Sequence, residues 1–307
     1  MKLPEELQFI ANARMPQKTT QSRLDGRVCV LTGATSGVGF QAAQRLARAG
    51  AQLVLVCRNK EKARQVQDEL QRLYSSRVDV ILADFAQLAQ VRDAAVAILS
   101  RFERIDILIN NAGVHNTRRL LTEDGIETVF CVNHLASFLF TRLLLERLLE
   151  SGPARILQVN SQGHRFGGLD LDDLNWERRR YNGYKGYGAS KVAQLLTTWE
   201  LADRLKGTCV TVNAMHPGEV RTRIGMNNGF LYRAYQRYLL WWFLKEPAIS
   251  GEAIYYLVAA PELEGVSGKF FNLTIEEKPA PHALDRSTGK RVWSLSEAMT
   301  GFAGLTI

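Results

Sequence analysis

From Val28 onward, short runs of apolar residues alternate with longer segments in which apolar residues recur at helical spacing. The short runs are nearly continuous, which is typical of strands covered on both faces. They predict about seven strands, at residues 28–31, 52–57, 78–82, 105–109, 155–160, 209–214 and 269–273. The longer segments predict helices near residues 38–49, 63–73, 88–102, 125–149, 187–205 and 248–258. This alternation predicts an α/β fold, a Rossmann-type doubly wound parallel sheet with helices on both faces.

No repeat, low-complexity tract or Gly/Ser-rich linker divides the 307 residues. We therefore expect one catalytic domain over residues 24–307, preceded by an N-terminal tail at residues 1–23. The hydrophobic fraction of 46% is ordinary for a globular protein. The net charge of +8 is scattered, and its densest run, residues 178–180, is typical of a solvated loop. This distribution argues against nucleic-acid binding.

The four cysteines show no C-x-x-C spacing. Cys29, Cys57 and Cys209 fall in apolar runs and are predicted to be buried free thiols, as in a reducing compartment. We find no Cys/His cluster with metal-ligand spacing and expect no metal. Residues 1–23 contain no signal-peptide core, and we identify no run of roughly 20 apolar residues that would span a bilayer. The sequence therefore predicts a cytoplasmic protein, at most peripheral to a membrane.

A glycine-rich turn joins the first predicted strand to the first helix. Glycines let the backbone turn sharply and approach a pyrophosphate, while the helix N-terminus supplies free N–H groups. The residues of the predicted phosphate site are Gly33, Thr35, Ser36, Gly37, Val38 and Gly39. The context of strand, turn and helix favours dinucleotide binding over an ordinary tight turn.

The ends of the next strands add candidate cofactor contacts. Arg58 follows the second strand, where an arginine accommodates the 2′-phosphate of NADP(H). Asp84 follows the third strand, where it is placed to contact the adenine or to cap the next helix. Asn111, Ala112 and Gly113 follow the fourth strand and are expected to line the crevice, with Asn111 also stabilising the turn.

Carbonyl reduction needs a proton donor beside the carbonyl oxygen, and Tyr187 with Lys191 offers one. The two residues are four apart and share a helix face, where the ammonium favours the phenolate. Tyr181 and Lys185 have the same spacing, but their Gly/Asn-rich surroundings predict a loop. We therefore prefer the pair Tyr187 and Lys191, with Tyr187 as the general acid/base.

Two further polar residues complete the candidate catalytic group. Ser161 ends the fifth strand, where its hydroxyl can donate to the substrate oxygen. Asn133 lies in the preceding long helix, where its amide can hold a water that connects to Lys191 as a proton path.

Together these motifs resemble the short-chain dehydrogenases/reductases over about residues 25–275. The resemblance implies that Asn133, Ser161, Tyr187 and Lys191 form the family's catalytic tetrad. It also implies that the family segment that contacts the nicotinamide is present, as Pro217, Gly218, Val220 and Thr222.

Within that family the chain is most similar to the retinol dehydrogenase branch, because of its Cys-Arg-Asn, Val-Asn-His-Leu and His-Pro-Gly motifs and the long segment between Ser161 and Tyr187. That branch implies NADP(H) and an apolar alcohol with its aldehyde or ketone, such as a retinoid or lipid aldehyde. Its membrane-anchored members carry an N-terminal apolar segment, which residues 1–23 do not show. A protochlorophyllide reductase-like enzyme and a non-catalytic, cofactor-binding regulatory protein are the alternatives.

An aromatic segment at residues 229–247 is the candidate substrate cover. Its apolar members are Phe230, Leu231, Tyr235, Tyr238, Trp241, Trp242 and Phe243. They predict a lid over an apolar substrate, a peripheral membrane contact, or a helix packed on the core or on a second copy in a homodimer.

Overall fold

One sheet runs through the part of the chain that the structure describes, which is residues 11–12, 15–219 and 246–302 of a computed structural model. Its eight strands are β1 (Val28–Thr32), β2 (Gln52–Cys57), β3 (Val78–Leu82), β4 (Ile107–Asn110), β5 (Ala154–Val159), β6 (Val210–His216), β7 (Phe270–Asn272) and β8 (Ile275–Glu276). Seven of them are parallel, and β8 pairs antiparallel with β7. The predicted α/β fold is confirmed, with one short strand more than the sequence indicates.

Helices separate the strands. They are α1 (Gly37–Arg48), α2 (Lys60–Tyr74), α3 (Leu88–Arg101), α4 (Thr128–Glu150), α5 (Gly183–Arg204), α6 (Ala248–Ala259) and α7 (Arg286–Thr300). Successive β1 side chains point to opposite faces of the sheet, so Val30 packs in one core cluster and Leu31 in the other. Both are 0% exposed, which explains why the strand is apolar throughout.

The strand order, β3-β2-β1-β4-β5-β6-β7-β8, reverses direction between β1 and β4. Connections on the two sides of this point run to opposite ends of the sheet, which leaves a crevice at the carboxyl ends of β1 and β4. Ligands bind at such crevices in open parallel sheets, so the topology fixes where the site lies before any side chain is considered.

A π turn at Cys131–Leu135 interrupts α4 and contains Asn133. The buried Glu127 precedes it and caps the helix, its carboxylate accepting from the backbone N–H groups of Val129 and Phe130 at 3.0 and 2.8 Å. π turns of this kind are rare and occur often at functional sites.

The α4 helix corrects the prediction that no segment is long and apolar enough to cross a membrane. Among the described residues, Thr128–Glu150 passes that test by length and composition. Its most apolar stretch is 89% buried inside the protein, which is how the core helix of a folded domain looks. The prediction missed the segment because Glu127 and Arg142 flank and interrupt its apolar run.

The predicted burial of Cys209 is wrong, because this residue is exposed and β6 begins one position later. Cys131, for which no burial was predicted, is buried in the core beside the π turn. Cys29 and Cys57 are buried free thiols, as predicted.

The basic run at residues 178–180 is only partly solvated. Arg178 and Arg180 are exposed, but the Arg179 guanidinium lies 3.7 Å from the centre of the Trp176 ring and donates to the Gly168 carbonyl at 2.9 Å. Through Arg179, the run therefore connects two parts of the long segment between Ser161 and Tyr187.

Part of the predicted N-terminal tail is bound to the domain. The Lys18 N–H donates to the Thr274 hydroxyl at 2.8 Å, and the Gln17 amide oxygen accepts from the Thr274 N–H at 3.0 Å. These contacts place residues 17 and 18 against the turn between β7 and β8.

Candidate active site

A cleft of about 820 Å³ lies at the carboxyl ends of the strands. Most of the predicted site residues line it: Gly33, Thr35, Ser36, Gly37, Val38, Gly39, Arg58, Asp84, Asn111, Ala112, Gly113, Ser161, Tyr187, Lys191, Pro217 and Gly218. Asn133 is not on its wall. Val220, Thr222 and residues 229–245 lie outside the described residues.

The glycine-rich turn is packed too tightly to carry side chains at two positions. Gly33 has φ +71°, and a Cβ on it would lie 2.9 Å from the Ala112 Cα. A Cβ on Gly39 would lie 2.3 Å from the Gly33 carbonyl oxygen and 2.4 Å from Asn111 Nδ2. Glycine is therefore required for the close approach of α1 to the ends of β1 and β4.

The N-terminus of α1 is left open toward an external acceptor. Ser36 is the N-cap residue, but its side chain makes no capping hydrogen bond, and the first turn contains no acidic residue. The first N–H groups of a helix have no partner within it and carry the positive end of its dipole. Since Ser36 and Gly37 line the cleft, the turn offers these groups to an anion bound there.

Arg58 and Asp84 lie at another part of the cleft wall. Arg58 Nη1 is 3.6 Å from Asp84 Oδ2, and the Arg58 side chain is 62% exposed. Such an exposed, long ion pair contributes little energy, so the guanidinium remains available to a ligand. Asp84 does not cap α3, because that helix begins after Gln87 and the Asp84 carboxylate instead accepts from the Ala86 N–H at 3.0 Å.

Asn111 holds two strand ends together. Its Nδ2 donates to the carbonyl oxygens of Thr32 and Gly33 at 2.9 and 3.1 Å, and its backbone N–H donates to the Thr32 hydroxyl at 2.9 Å. These bonds fix the turn in which the cleft begins, which is the structural part of the role predicted for Asn111.

Tyr187 and Lys191 lie one turn apart on α5 and line the same cleft. The Tyr187 ring packs against the backbone of Gly163, where an added Cβ would lie 2.6 Å from the ring Cε1. Lys191 is 3% exposed, and its Nζ lies 5.8 Å from the centre of the Tyr187 ring. The ammonium donates to the Val159 carbonyl at 2.9 Å and to the Gln194 amide oxygen at 3.3 Å.

The structure separates this pair from the alternative pair with the same spacing. The Tyr181 hydroxyl donates to the Glu127 carboxylate at 3.2 Å, and Lys185 is exposed. Neither lines the cleft. α5 begins at Gly183, four residues earlier than predicted, so Lys185 is helical after all while Tyr181 precedes the helix.

Ser161 follows β5 at the edge of the cleft. Its hydroxyl oxygen accepts from the Gly163 N–H at 3.0 Å, which leaves the hydroxyl hydrogen for a ligand. Its N–H donates to the Asn160 amide oxygen at 2.8 Å and its carbonyl oxygen lies 2.7 Å from His164 Nδ1. The serine is therefore held on both sides by buried polar groups.

Asn133 lies within the long helix α4, as predicted, but its side chain is buried beneath the cleft wall. It is 0% exposed, and its Nδ2 donates to the Val114 carbonyl and to the Ser190 hydroxyl, both at 3.0 Å. Its amide oxygen accepts from the Val114 N–H at 2.8 Å. Both amide hydrogens are thus engaged in joining the π turn to the loop after β4 and to α5, and the role of Asn133 in a water-mediated proton path to Lys191 stays a prediction.

Two histidines at the site had no predicted role. Buried His164 accepts from the Ala280 N–H at Nε2, at 3.1 Å, so its Nδ1–H donates to Ser161. His216 lines the cleft, and its Nδ1 accepts from the Gln162 N–H at 3.4 Å. Desolvation lowers the pKa of His164 to about 4 and that of His216 to about 3, so both are neutral at physiological pH. Their position beside Ser161 and Pro217 was the only available sequence signal.

Comparison with known proteins identifies the family. Residues 27–229 match the family model described as short chain dehydrogenase. Retinol dehydrogenase 13 from Homo sapiens is 39% identical over 298 residues, which covers 95% of this chain and 89% of that protein.

Two solved structures share the fold. An uncharacterised protein from Mycobacterium paratuberculosis is 29% identical with a TM-score of 0.74, covering 93% of this chain and 98% of that one. A short chain dehydrogenase from Burkholderia cenocepacia J2315 in complex with NADP is 27% identical with a TM-score of 0.65, covering 81% and 96%. The predicted resemblance is confirmed, and the chain belongs to the short-chain dehydrogenase family of oxidoreductases.

Proposed function

We propose that this protein is an NADP(H)-dependent oxidoreductase that interconverts an apolar alcohol and its aldehyde or ketone, with Tyr187 as the general acid/base. The observation that carries the proposal is the meeting of Ser161, Tyr187 and Lys191 in one cleft with the glycine-rich turn. The related dehydrogenase solved with NADP, and the relatives named retinol dehydrogenase, support it.

The cleft suits a dinucleotide phosphate. Gly39 lets α1 pack closely against Gly33 and Asn111, and the uncapped N-terminus of α1 offers N–H groups to the cleft. Arg58 is an exposed, fork-shaped cation that matches a phosphate on the ribose. When bound, NADP(H) supplies or accepts the hydride.

The protein's own groups handle the proton and the orientation of the carbonyl. In reduction, the Tyr187 hydroxyl donates a proton to the substrate oxygen, and the Ser161 hydroxyl donates a hydrogen bond to the same oxygen. The buried Lys191 ammonium favours the phenolate that remains. In oxidation, the phenolate accepts the proton of the alcohol.

A row of rings leads outward from Tyr187 and supports an apolar substrate. His115 lies 5.6 Å from the Tyr187 ring and 5.7 Å from Tyr184, and Phe166 lies 5.8 Å from Tyr184, all measured between ring centres. Phe166 and Tyr184 are each 55% exposed. Exposed aromatic surface beside a polar site is typical of a place where apolar ligands bind.

Replacing Tyr187 by Phe is expected to reduce carbonyl-dependent NADPH oxidation by about 100-fold or more, because the proton donor is removed. Absorbance of NADPH with a panel of aldehydes and ketones measures the rate. Tyr181→Phe is the matched control and should keep most of the activity, since its hydroxyl faces Glu127. Equal rates for wild type and Tyr187→Phe would remove Tyr187 from the mechanism.

The substitution Arg58→Asp is expected to reverse the cofactor preference, because a carboxylate repels the 2′-phosphate and accepts from ribose hydroxyls. The affinity for NADPH should fall by about tenfold or more relative to that for NADH, as measured by titration of the cofactor's fluorescence. Arg64→Asp, an exposed arginine on α2, makes the same charge change and should leave the ratio unaltered. A ratio unchanged in Arg58→Asp contradicts the assignment.

Phe166→Ala should raise the KM for long apolar aldehydes while leaving kcat nearly unchanged. The lost ring removes apolar contact of about 1–3 kcal/mol, which corresponds to roughly a 5- to 150-fold loss of affinity. A series from propanal to decanal measures the effect, and propanal is the internal control because it is too short to reach the outer rings. A uniform loss along the series would indicate a structural defect instead.

The burial of Lys191 should make the free energy of unfolding depend on pH. Burial lowers the pKa of its ammonium to about 7, whereas the unfolded chain keeps the ordinary value of 10.5. Between these two pH values the unfolded state binds more protons, so the free energy of unfolding should rise with pH. Below about pH 7 both states are protonated and this contribution is constant.

Lys191→Met should remove that slope. In urea unfolding at pH 6.5, 8.0 and 9.5, the stability of wild type relative to Lys191→Met should increase with pH by up to about 1.4 kcal/mol per pH unit. Lys185→Met, an exposed lysine on the same helix, should run parallel to wild type at all three values. A pH-independent difference for Lys191→Met would show that Lys191 is an ordinary lysine.

A further inference from the structure

Gln194 lies beneath the cleft, one helical turn beyond Lys191 on α5, and is 2% exposed. Its amide oxygen accepts from the Lys191 ammonium at 3.3 Å and from Asn160 Nδ2 at 2.8 Å. Its amide nitrogen donates to the Gln158 amide oxygen at 3.3 Å. No sequence motif described above includes Gln194, yet it is one of two residues that bond to the ammonium in the described part of the protein.

The orientation of the Gln194 amide is fixed by the backbone. Asn160 Oδ1 accepts from the Ser161 N–H at 2.8 Å, so its Nδ2 must lie on the other side. That nitrogen also donates to the Lys191 carbonyl at 3.0 Å. Because Asn160 can present only a donor to Gln194, Gln194 must present its oxygen, and the same oxygen faces Lys191.

In the described ranges, few charged groups near the Lys191 ammonium act on it besides the dipole of the Gln194 amide. The titratable groups near it on the described elements are Tyr187 on α5 and His134 on the π turn, and His216 at the end of β6 lines the same cleft. Desolvation lowers the pKa of both histidines to about 3, so they are neutral. Arg58 and Asp84 belong to the part of the cleft beyond the glycine-rich turn, and they pair with each other.

We propose that Gln194 is a positioning residue that holds Lys191 beneath Tyr187 and sets the pH range in which Lys191 stays protonated. Most buried lysines are stabilised by a carboxylate. Here two carbonyl oxygens, one from Val159 and one from Gln194, accept the hydrogen bonds that stabilise the buried ammonium. A carbonyl dipole stabilises the cation less than a full charge does, so the proton remains easy to lose. The consequence for catalysis rests on the proposed function, whereas the effect on Lys191 itself does not.

Two substitutions of nearly equal shape separate the dipole from the packing. Gln194→Glu keeps the acceptor and adds a negative charge about 3 Å from the ammonium, which favours the protonated lysine. Gln194→Met keeps the length and removes the acceptor, which disfavours it. Thr198→Val is the matched control, because Thr198 is equally buried on the same helix and its hydroxyl donates only to the Gln194 backbone carbonyl, at 2.6 Å.

The experiment is a pH titration of the cofactor-free protein labelled with ¹³C-lysine, in which the Lys191 Cε signal is assigned by its absence from Lys191→Met. We expect the midpoint, about pH 7 in wild type, to rise by about one pH unit or more in Gln194→Glu and to fall by about as much in Gln194→Met. Thr198→Val should match wild type. If Gln194→Glu does not fold, the decrease of the Lys191 midpoint in Gln194→Met is sufficient to test the proposal.

The second arm follows NADPH-dependent reduction against pH in the same proteins. The pH at which kcat/KM falls on the alkaline side should be higher in Gln194→Glu and lower in Gln194→Met than in wild type. Each shift should equal the shift in the midpoint of the Lys191 NMR titration. Unchanged midpoints in both variants overturn the role of Gln194 whether or not the enzyme is active. Shifted midpoints in a protein that reduces no carbonyl would instead refute the proposed function and leave the electrostatic role standing.

Discussion

An ammonium group held inside the protein by carbonyl oxygens is the interaction around which the site is arranged. Lys191 can be placed there because β5 ends at Val159, whose carbonyl is free to accept from it. Burial lowers the pKa of Lys191 to about 7, and the same placement holds its Nζ 5.8 Å from the centre of the Tyr187 ring. Burying this lysine costs stability at the pH values where the unfolded chain would protonate it and the folded protein does not.

The parallel sheet makes this arrangement possible because it gathers strand ends at one edge. Gly33 follows β1, Asn111 follows β4, Ser161 follows β5 and Pro217 follows β6, and all four line one cleft. None of these residues contributes much to the hydrophobic core. The core instead holds the strands in register, and the site inherits its geometry from that register.

Sequence reasoning could predict the fold because continuous apolar strands and helical periodicity are local patterns. It also preferred Tyr187 to Tyr181 as the acid/base, which stays a prediction; the structure adds that Tyr187 lines the cleft whereas the Tyr181 hydroxyl donates to Glu127. The bonding of Asn133 could not be foreseen, since it depends on a π turn that shifts the helix face. Cys209 shows the limit of pattern alone, because one residue at a strand boundary separates a buried position from an exposed one.

Some of the missed residues did leave a signal. From Ile156 to the position after β5 the run is apolar except for Gln158 and Asn160, and both are nearly fully buried. Burying an amide costs free energy unless all its hydrogen bonds are made, so such residues persist only where their bonds are useful. Here they connect to Gln194, and through it to Lys191. A polar residue that interrupts a buried strand near its carboxyl end therefore indicates the support of a site.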